Sequence, residues 1–150
     1  IPNDKKIILG VANVWEDRKG LKDFIELSKI IDNNYIIILV GINKKHKKEL
    51  PNNIIGIHRT NNQNELANLY SIASAFVNPT YEDNYPTVNI EALACKTPVI
   101  TYNTGGCLEQ INKTNGIIIK KEENGDIAEV KYNTVELLIN NQPIVMISKE

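Results

Sequence analysis

The sequence has few cysteines, no excess of either charge and no long apolar run. Its two cysteines, Cys95 and Cys107, are too far apart for a CxxC metal or redox pair and too few for a secreted disulfide framework. With 17 basic and 18 acidic residues, the net charge is −1, so we expect no nucleic-acid partner. No run approaches the roughly 18 apolar residues of a membrane span, and no leader-like segment opens the chain. We therefore expect a cytoplasmic protein with reduced thiols.

Several ligand-binding motifs are also missing. Without a GxGxxG motif, an NAD-binding Rossmann half is disfavoured. A signalling receiver domain needs an acidic cluster after its first strand, and Val11, Ala12 and Asn13 stand in that place. His46 and His58 have no partners at metal-ligand spacing. We expect no metal site and no cofactor.

What the chain does contain is an alternation of short β-rich runs and longer segments of helical period. Strands are predicted at residues 6–11, 35–40, 54–57, 75–77, 98–102 and 116–119. Helices are predicted at residues 21–31, 64–74, 87–95 and 106–111. Two of the strands, YIIILV and GIII, are almost wholly apolar, as central strands covered on both faces should be. The pattern predicts one α/β domain over residues 1–150, with a parallel sheet between two helical layers.

The remaining segments carry weaker patterns. Residues 44–48 (KKHKK) and 61–64 are predicted to be polar connections, with the basic run forming a solvated loop. Residues 127–132 fit either a strand or the start of a helix, and residues 134–139 are predicted to be helical. Gly105 and Gly106 form either a tight turn or a place where backbone approaches a ligand phosphate.

The most informative segment covers residues 78–101, NPTYEDNYPTVNIEALACKTPVIT. It joins a strand end, a polar loop, a helix and another strand, and ligands of such sheets bind at the carboxyl ends of strands. The helix would begin at Thr87 and Val88, where free N–H groups and the helix dipole favour a phosphate. Asp83 and Glu91 would flank that position with carboxylate acceptors suited to a hydroxyl-rich ligand. Taken alone, such a pair could also be two solvated charges.

These residues resemble the acidic-x7-acidic motif of the GT-B glycosyltransferases of family 4. ALACKTPVIT is similar to their Ala-x-Ala-Cys-Gly-Thr-Pro-Val-Ile signature, and TGGCLEQI to their Gly-Gly-x-x-Glu turn. KIILGVANVWEDRKGLKDFIEL resembles the opening strand, Lys-Gly loop and helix of that family. The resemblance implies a Rossmann-like three-layer sandwich that forms one half of a GT-B fold. In that family this carboxyl-terminal half binds the nucleotide sugar, and an amino-terminal acceptor domain, absent from this chain, lies across the cleft.

The resemblance also implies roles for individual residues. Lys19 and Asp83 are implied to be catalytic, because Lys19 neutralises the diphosphate as the glycosidic bond breaks and Asp83 contacts the sugar hydroxyls. Glu91 is implied to accept hydrogen bonds from the ribose. The other implied donor-binding residues are Arg18, Asn84, Tyr85, Pro86, Thr87 and Val88. A nucleobase pocket is implied at a strand end by His58, Arg59 and Thr60.

Three residues depart from the family pattern. Asp83 replaces the glutamate that most members carry, and Val14 replaces an arginine for which Arg18 is the candidate substitute. Lys96 replaces a glycine just after a helix, where positive φ is common and a lysine would cost about 1 kcal/mol.

The function implied is retaining transfer of a sugar, as in polysaccharide biosynthesis, from a UDP- or GDP-linked donor to a hydroxyl of a glycan or lipid-linked acceptor. The chain alone should bind donor without turnover, and the missing domain could hold it at the inner face of the membrane. Two alternatives stay open: a non-catalytic nucleotide-binding module, and one half of a GT-B epimerase or phosphorylase.

Overall fold

A computed structural model describes residues 4–112, 114–121, 127–131, 138–139 and 142–143. Within these residues a seven-stranded sheet has the order β3-β2-β1-β4-β5-β6-β7. Its strands are β1 (Lys6–Val11), β2 (Tyr35–Val40), β3 (Ile54–Ile57), β4 (Ala75–Asn78), β5 (Val99–Tyr102), β6 (Gly116–Lys121) and β7 (Ile127–Lys131). The first six strands run parallel, and β7 pairs antiparallel to β6. The predicted parallel sheet is confirmed, with one antiparallel strand added at its edge.

The described helices are α1 (Leu21–Ser28), α2 (Lys44–Lys47), α3 (Gln63–Ile72), α4 (Thr87–Ala94) and α5 (Cys107–Gln110). The central strands divide their apolar side chains between two core clusters, so that Ile37 belongs to one cluster and Ile38 to the other. Phe24 of α1 joins the first cluster, whereas Tyr70 of α3 and Ala92 of α4 join the second. The sheet is therefore covered on both faces, which confirms the three-layer sandwich.

Asparagine caps decide where two of the helices begin. The side chain of Asn62 accepts a hydrogen bond from the Glu65 N–H at 2.9 Å, so α3 begins at Gln63. The side chain of Asn43 accepts from the His46 N–H at 2.7 Å and starts α2. The prediction that residues 44–48 form a loop is therefore wrong, because this cap closes a single helical turn whose lysines remain exposed.

The structure tests two predictions for the carboxyl-terminal part of the chain. The sequence allowed either a strand or a helix start at residues 127–132, and the structure has strand β7 there. The prediction of a helix at 134–139 is wrong for its last two residues. They form strand β8 (Leu138–Ile139), which pairs antiparallel with β9 (Gln142–Pro143). Residues 134–137 lie outside the described residues.

Lys96 has the positive φ that we expected at a position where the family carries glycine. Its φ is +62°, and it is the one non-glycine residue with positive φ in the described part of the chain. This conformation brings the chain out of α4 and toward β5. An L-residue here carries a steric cost that glycine would not.

The order of the sheet determines where a ligand could bind. The chain forms β1, β2 and β3 toward one edge and then returns to place β4 on the other side of β1. The connections that follow β1 and β4 therefore diverge and leave a crevice at the carboxyl ends of these two strands. Such a switch point is the usual ligand site of an open parallel sheet.

Candidate functional site

A cleft of about 500 Å³ lies at this switch point. Its walls come from the turn after β1, from the loop between β4 and α4, from the first turn of α4 and from α3. The lining residues are Val11, Ala12, Asn13, Val14, Glu16, Arg18, Lys19, Leu66, Asp83, Tyr85, Pro86, Thr87, Val88 and Glu91. The fold therefore brings together eight of the nine donor-binding residues expected from the sequence, with Asn84 as the exception.

Lys19 and Asp83 form an ion pair inside the cleft. The Lys19 Nζ lies 3.0 Å from Asp83 Oδ2, and the two side chains are only 21% and 17% exposed. Gly20 follows Lys19 with φ of +84°, and a Cβ at this position would lie 2.3 Å from the Pro79 carbonyl oxygen. Only a glycine allows this turn to pack against the end of β4, which places Lys19 within reach of Asp83.

Arg18 brings a second positive charge to the cleft. Its Nε lies 2.8 Å from Glu16 Oε2, and its Nη1 donates to the Glu82 carbonyl oxygen at 2.8 Å. The hydrogen bond with Glu16 raises the pKa of the guanidinium above its usual value. Val14, at the position of the family arginine, is 55% exposed and adds an apolar surface to the same cleft. Among the lining residues the cations are therefore Lys19 and Arg18.

The amino end of α4 faces the cleft without a side-chain cap. Pro86 is the N-cap residue and makes no capping hydrogen bond from its side chain. Thr87 and Val88, the first two helical residues, line the cleft. The first N–H groups of a helix have no partners within it and carry the positive end of its dipole. This end of α4 is suited to bind a phosphate group.

Glu91 lies one turn further along α4. It is exposed to the cleft, and its Oε1 accepts a hydrogen bond from the Tyr70 hydroxyl at 3.2 Å. Tyr70 belongs to α3, so a second helix fixes the direction of this carboxylate. The cations of Arg18 and Lys19, the carboxylates of Asp83 and Glu91 and the amino end of α4 thus line one cleft.

The glycine pair supports the acidic loop. Gly105 has φ of +49°, and a Cβ on it would lie 1.7 Å from the Asp83 carbonyl oxygen. A Cβ on Gly106 would lie 2.2 Å from the Tyr85 ring, and its N–H donates to the Asn84 carbonyl oxygen at 2.6 Å. The backbone of this glycine turn therefore packs closely against the loop that carries Asp83. The Asn84 carbonyl oxygen contacts this turn, and Asn84 is not among the residues that line the cleft.

A buried network of amide side chains also holds α4, and the sequence analysis missed it. Asn89 is fully buried; its Oδ1 accepts from Asn78 Nδ2 and its Nδ2 donates to Gln110 Oε1, each at 3.0 Å. Gln110 Nε2 in turn donates to the Pro86 carbonyl oxygen at 2.9 Å. Helical spacing places Asn89 on the same face as the buried Ala92. A polar residue on an inward face needs buried partners, which is the signal that could have revealed the network.

The three residues proposed for the nucleobase do not line the cleft. His58, Arg59 and Thr60 follow β3, two strands away from β1. The His58 Nδ1 lies 3.1 Å from the Ile42 carbonyl oxygen, and His58 and Arg59 are exposed. These three residues therefore lie apart from the cleft that eight of the other predicted residues line, and their role remains a prediction.

Two further observations concern ligands and membranes. Within the described ranges, no group of three or more His, Cys, Asp or Glu side chains is placed to hold a metal ion. The described helices are all too short or too polar to cross a bilayer.

Comparison with known proteins gives a family and several relatives. A family model described as glycosyl transferases group 1 matches residues 1–143. The capsular polysaccharide biosynthesis glycosyltransferase CapM of Staphylococcus aureus is 29% identical over 152 residues, covering 95% of this chain and 39% of that protein. The N,N'-diacetylbacillosaminyl-diphospho-undecaprenol alpha-1,3-N-acetylgalactosaminyltransferase of Campylobacter jejuni subsp. jejuni is 26% identical, covering 94% and 38%. The chain spans about two fifths of the length of these relatives.

Solved structures agree on the fold. WaaG, a glycosyltransferase involved in lipopolysaccharide biosynthesis, aligns with a TM-score of 0.71 at 18% identity, covering 100% of this chain and 40% of that one. Alr3699/HepE of Anabaena, in complex with UDP-glucose, aligns with a TM-score of 0.64 at 18% identity, covering 77% and 35%. These alignments confirm the expected Rossmann-like half of a GT-B fold.

Proposed function

This chain belongs to the group 1 glycosyl transferases, and from that premise we propose that it is the donor-binding, carboxyl-terminal domain of a retaining family 4 hexosyltransferase. The observation that carries the proposal is the cleft at the switch point. One cavity of about 500 Å³ combines Lys19, Asp83, the amino end of α4 and Glu91. These groups fit a ligand that has a central diphosphate and a hydroxyl-rich ring on each side.

The diphosphate would lie between Lys19 and the amino end of α4. Lys19 and Arg18 supply positive charge from one wall, and the N–H groups of Thr87 and Val88 donate from the other. The ribose would lie toward Glu91 and the transferred sugar toward Asp83. A UDP- or GDP-linked sugar is the donor that this order of groups supports, and the UDP-glucose complex of the Anabaena relative agrees with it.

In the proposed reaction the cleft would stabilise the leaving group, which is the nucleoside diphosphate. As the bond from the anomeric carbon to the phosphate oxygen breaks, negative charge develops on the diphosphate. The amides of α4 already line the cleft, and Lys19 would exchange Asp83 for the diphosphate as its partner, so the groups that stabilise this charge lie within the same cleft. The acceptor hydroxyl oxygen then bonds to the anomeric carbon, and its proton leaves with the nucleoside diphosphate. We propose that Lys19 and the α4 amides stabilise this charge without a metal ion.

The acceptor would come from a part of the enzyme that lies outside this chain. Because the chain spans about two fifths of its relatives, we assign acceptor binding to an amino-terminal domain facing the cleft. The named relatives act in capsular polysaccharide synthesis and on a diphospho-undecaprenol-linked sugar. We accordingly propose a glycan or lipid-linked acceptor at the cytoplasmic face of the membrane.

Calorimetric titration with UDP, GDP, UDP-glucose and GDP-mannose tests the proposal. We expect one base to be preferred, and Lys19→Ala and Glu91→Ala each to weaken binding about tenfold or more, because each removes a hydrogen bond involving a charged group. The matched controls are Lys29→Ala and Glu26→Ala, which remove an exposed ion pair with a 3.0 Å contact on α1. A wild type that binds no nucleotide, or controls that lose as much affinity as the site variants, would contradict the proposed function.

A further inference from the structure

Tyr70 is a core residue whose hydroxyl contacts Glu91, a residue that lines the cleft. Only 2% of the residue is exposed, and its ring lies 5.4 Å from that of Phe76 between ring centroids. Thr97 Oγ1 donates a hydrogen bond to the Tyr70 carbonyl oxygen. Both the ring and the backbone of Tyr70 are therefore held by buried neighbours, which leaves the hydroxyl in a fixed position at the end of a rigid group.

This hydroxyl has one described partner, Glu91. It donates to Glu91 Oε1 at 3.2 Å, across the contact between α3 and α4. Burial, and then the nearby Glu91 carboxylate, raise the pKa of the Tyr70 phenol, so it stays protonated and remains a donor at any ordinary pH. Leu66, one turn before Tyr70 on α3, lines the cleft beside the same carboxylate.

Glu91 would otherwise be a mobile side chain. It is exposed, and among the described residues its carboxylate makes no hydrogen bond or ion pair other than that with Tyr70. A glutamate with several rotatable bonds loses conformational entropy when a ligand immobilises it. A hydrogen bond that holds one oxygen in advance removes part of that loss and leaves the other oxygen to accept from a ligand.

We propose that Tyr70 is a positioning residue for donor recognition, whose buried hydroxyl fixes Glu91 so that the carboxylate accepts hydrogen bonds from the ribose hydroxyls of a nucleoside diphosphate. The inference rests on the proposed function, since it needs a nucleotide in the cleft. It adds a specific consequence, which is that Tyr70 contributes to affinity only when the ribose carries hydroxyl groups.

Tyr70→Phe keeps the ring and removes only the hydroxyl, so it isolates the contact. The probes are UDP and GDP, each compared by calorimetry with its 2′,3′-dideoxy analogue. We expect Tyr70→Phe to weaken binding of the ribose-containing nucleotide about five- to tenfold, the scale of the entropy cost of ordering one flexible side chain on binding. Binding of the dideoxy analogue should stay within a factor of two.

Two comparisons separate positioning from a general structural role. Tyr102→Phe is the matched control, because Tyr102 is also buried and also donates its hydroxyl to a carboxylate, that of Asp23, away from the described cleft lining. It should lower stability and leave the preference for the ribose hydroxyls unchanged. In a Glu91→Ala background, Tyr70→Phe should have no further effect on nucleotide affinity.

The outcomes are distinguishable. Equal losses for ribose and dideoxy nucleotides in Tyr70→Phe, or full additivity with Glu91→Ala, would show that Tyr70 serves packing alone and would overturn the inference. The proposed function would survive that result, because the wild type would still bind the nucleotide. A wild type that does not distinguish UDP or GDP from its dideoxy analogue would overturn both the ribose role of Glu91 and the inference built on it.

Discussion

Lys19 and Asp83 neutralise each other in the cleft. Their 3.0 Å contact joins the two residues to which the sequence assigned catalytic roles. On the proposed function, a diphosphate would compete with Asp83 for Lys19. Once the phosphate had paired with Lys19, the Asp83 carboxylate would be free to accept hydrogen bonds from the donor sugar. The proposal therefore links binding of the diphosphate and recognition of the sugar through one ion pair.

Replacing Asp83 by asparagine tests that competition. Asp83→Asn keeps the shape of the side chain and removes its charge, so Lys19 becomes more available to the diphosphate. We expect the nucleoside diphosphate without a sugar to bind about threefold more tightly, the scale of one partly exposed ion pair. Calorimetry against Lys19→Ala, which should bind more weakly, gives the comparison. Weaker binding by Asp83→Asn would mean that the pair orients Lys19 instead of restraining it.

Lys96 gives a prediction for stability alone. Its φ of +62° is costly for an L-residue, so Lys96→Gly should raise the free energy of unfolding by about 1 kcal/mol. Urea denaturation measures the change, and Lys96→Ala is the matched control because it removes the same side chain but keeps the Cβ. An equal gain from both variants would place the cost in the lysine side chain and not in the backbone.

At this scale the sequence predicted residues that the fold does bring together. Lys19, Asp83, Thr87, Val88 and Glu91 line one cleft because the sheet places their two loops at neighbouring strand ends. What the sequence could not supply were contacts between distant segments, such as the approach of the glycine turn to the acidic loop. Such contacts depend on how loops pack in three dimensions and have no local pattern.

Among the elements, α4 matters most for the site. Its amino end is held from behind by the amide network that runs from Asn78 through Asn89 to Gln110 and the Pro86 carbonyl oxygen. These bonds connect α4 to β4 and α5. A buried network in which each amide finds a partner resists rotation of the helix, so the end that we propose to bind phosphate keeps its direction.

Asn89→Leu should disrupt this network. The substitution leaves the buried Asn78 amide and the Gln110 carbonyl without the partner they now have, and we expect a loss of about 1–3 kcal/mol in the free energy of unfolding. Urea denaturation measures it. Asn68→Leu makes the same change at an exposed position of α3 and should stay within about 0.5 kcal/mol of the wild type. Equal effects of the two variants would contradict a role for the buried network.

The sequence predicted the strands and longer helices closely because their apolar patterns are strong. It failed at α2, where the basic run carries no apolar period and a single Asn43 cap decides the structure. It failed again at β8, where a two-residue strand depends on its partner β9 and not on its own pattern. Short elements are determined by caps and neighbours, which a periodicity argument does not include.

At the scale of the whole molecule, the burial of weakly acidic side chains makes the protein less stable at high pH. Burial is the main cause that raises the pKa of Tyr70, Tyr102 and Cys107 above their ordinary values. The unfolded chain releases these protons near pH 8.5 to 10, whereas the folded chain retains them. From about pH 8.5 upward the unfolded state therefore binds fewer protons than the folded state, so stability falls as the pH rises.

We therefore expect the free energy of unfolding to decrease between about pH 8.5 and 10.5 and to change little from these groups between pH 6 and 8. Urea denaturation across this range measures the effect. Tyr102→Phe removes one of the buried phenols and should make the decline shallower. A flat profile up to pH 10.5 in the wild type would contradict the assignment of these groups as buried and protonated.

The measurement that tests the central claim most directly is a crystal structure of the chain with the nucleoside diphosphate that calorimetry selects. We expect the diphosphate at the amino end of α4, within hydrogen-bonding distance of the Thr87 and Val88 amides and of Lys19 Nζ, and the ribose hydroxyls on Glu91. A nucleotide bound elsewhere, with Lys19 still paired to Asp83 and the end of α4 free, would contradict the assignment of this cleft as the donor site.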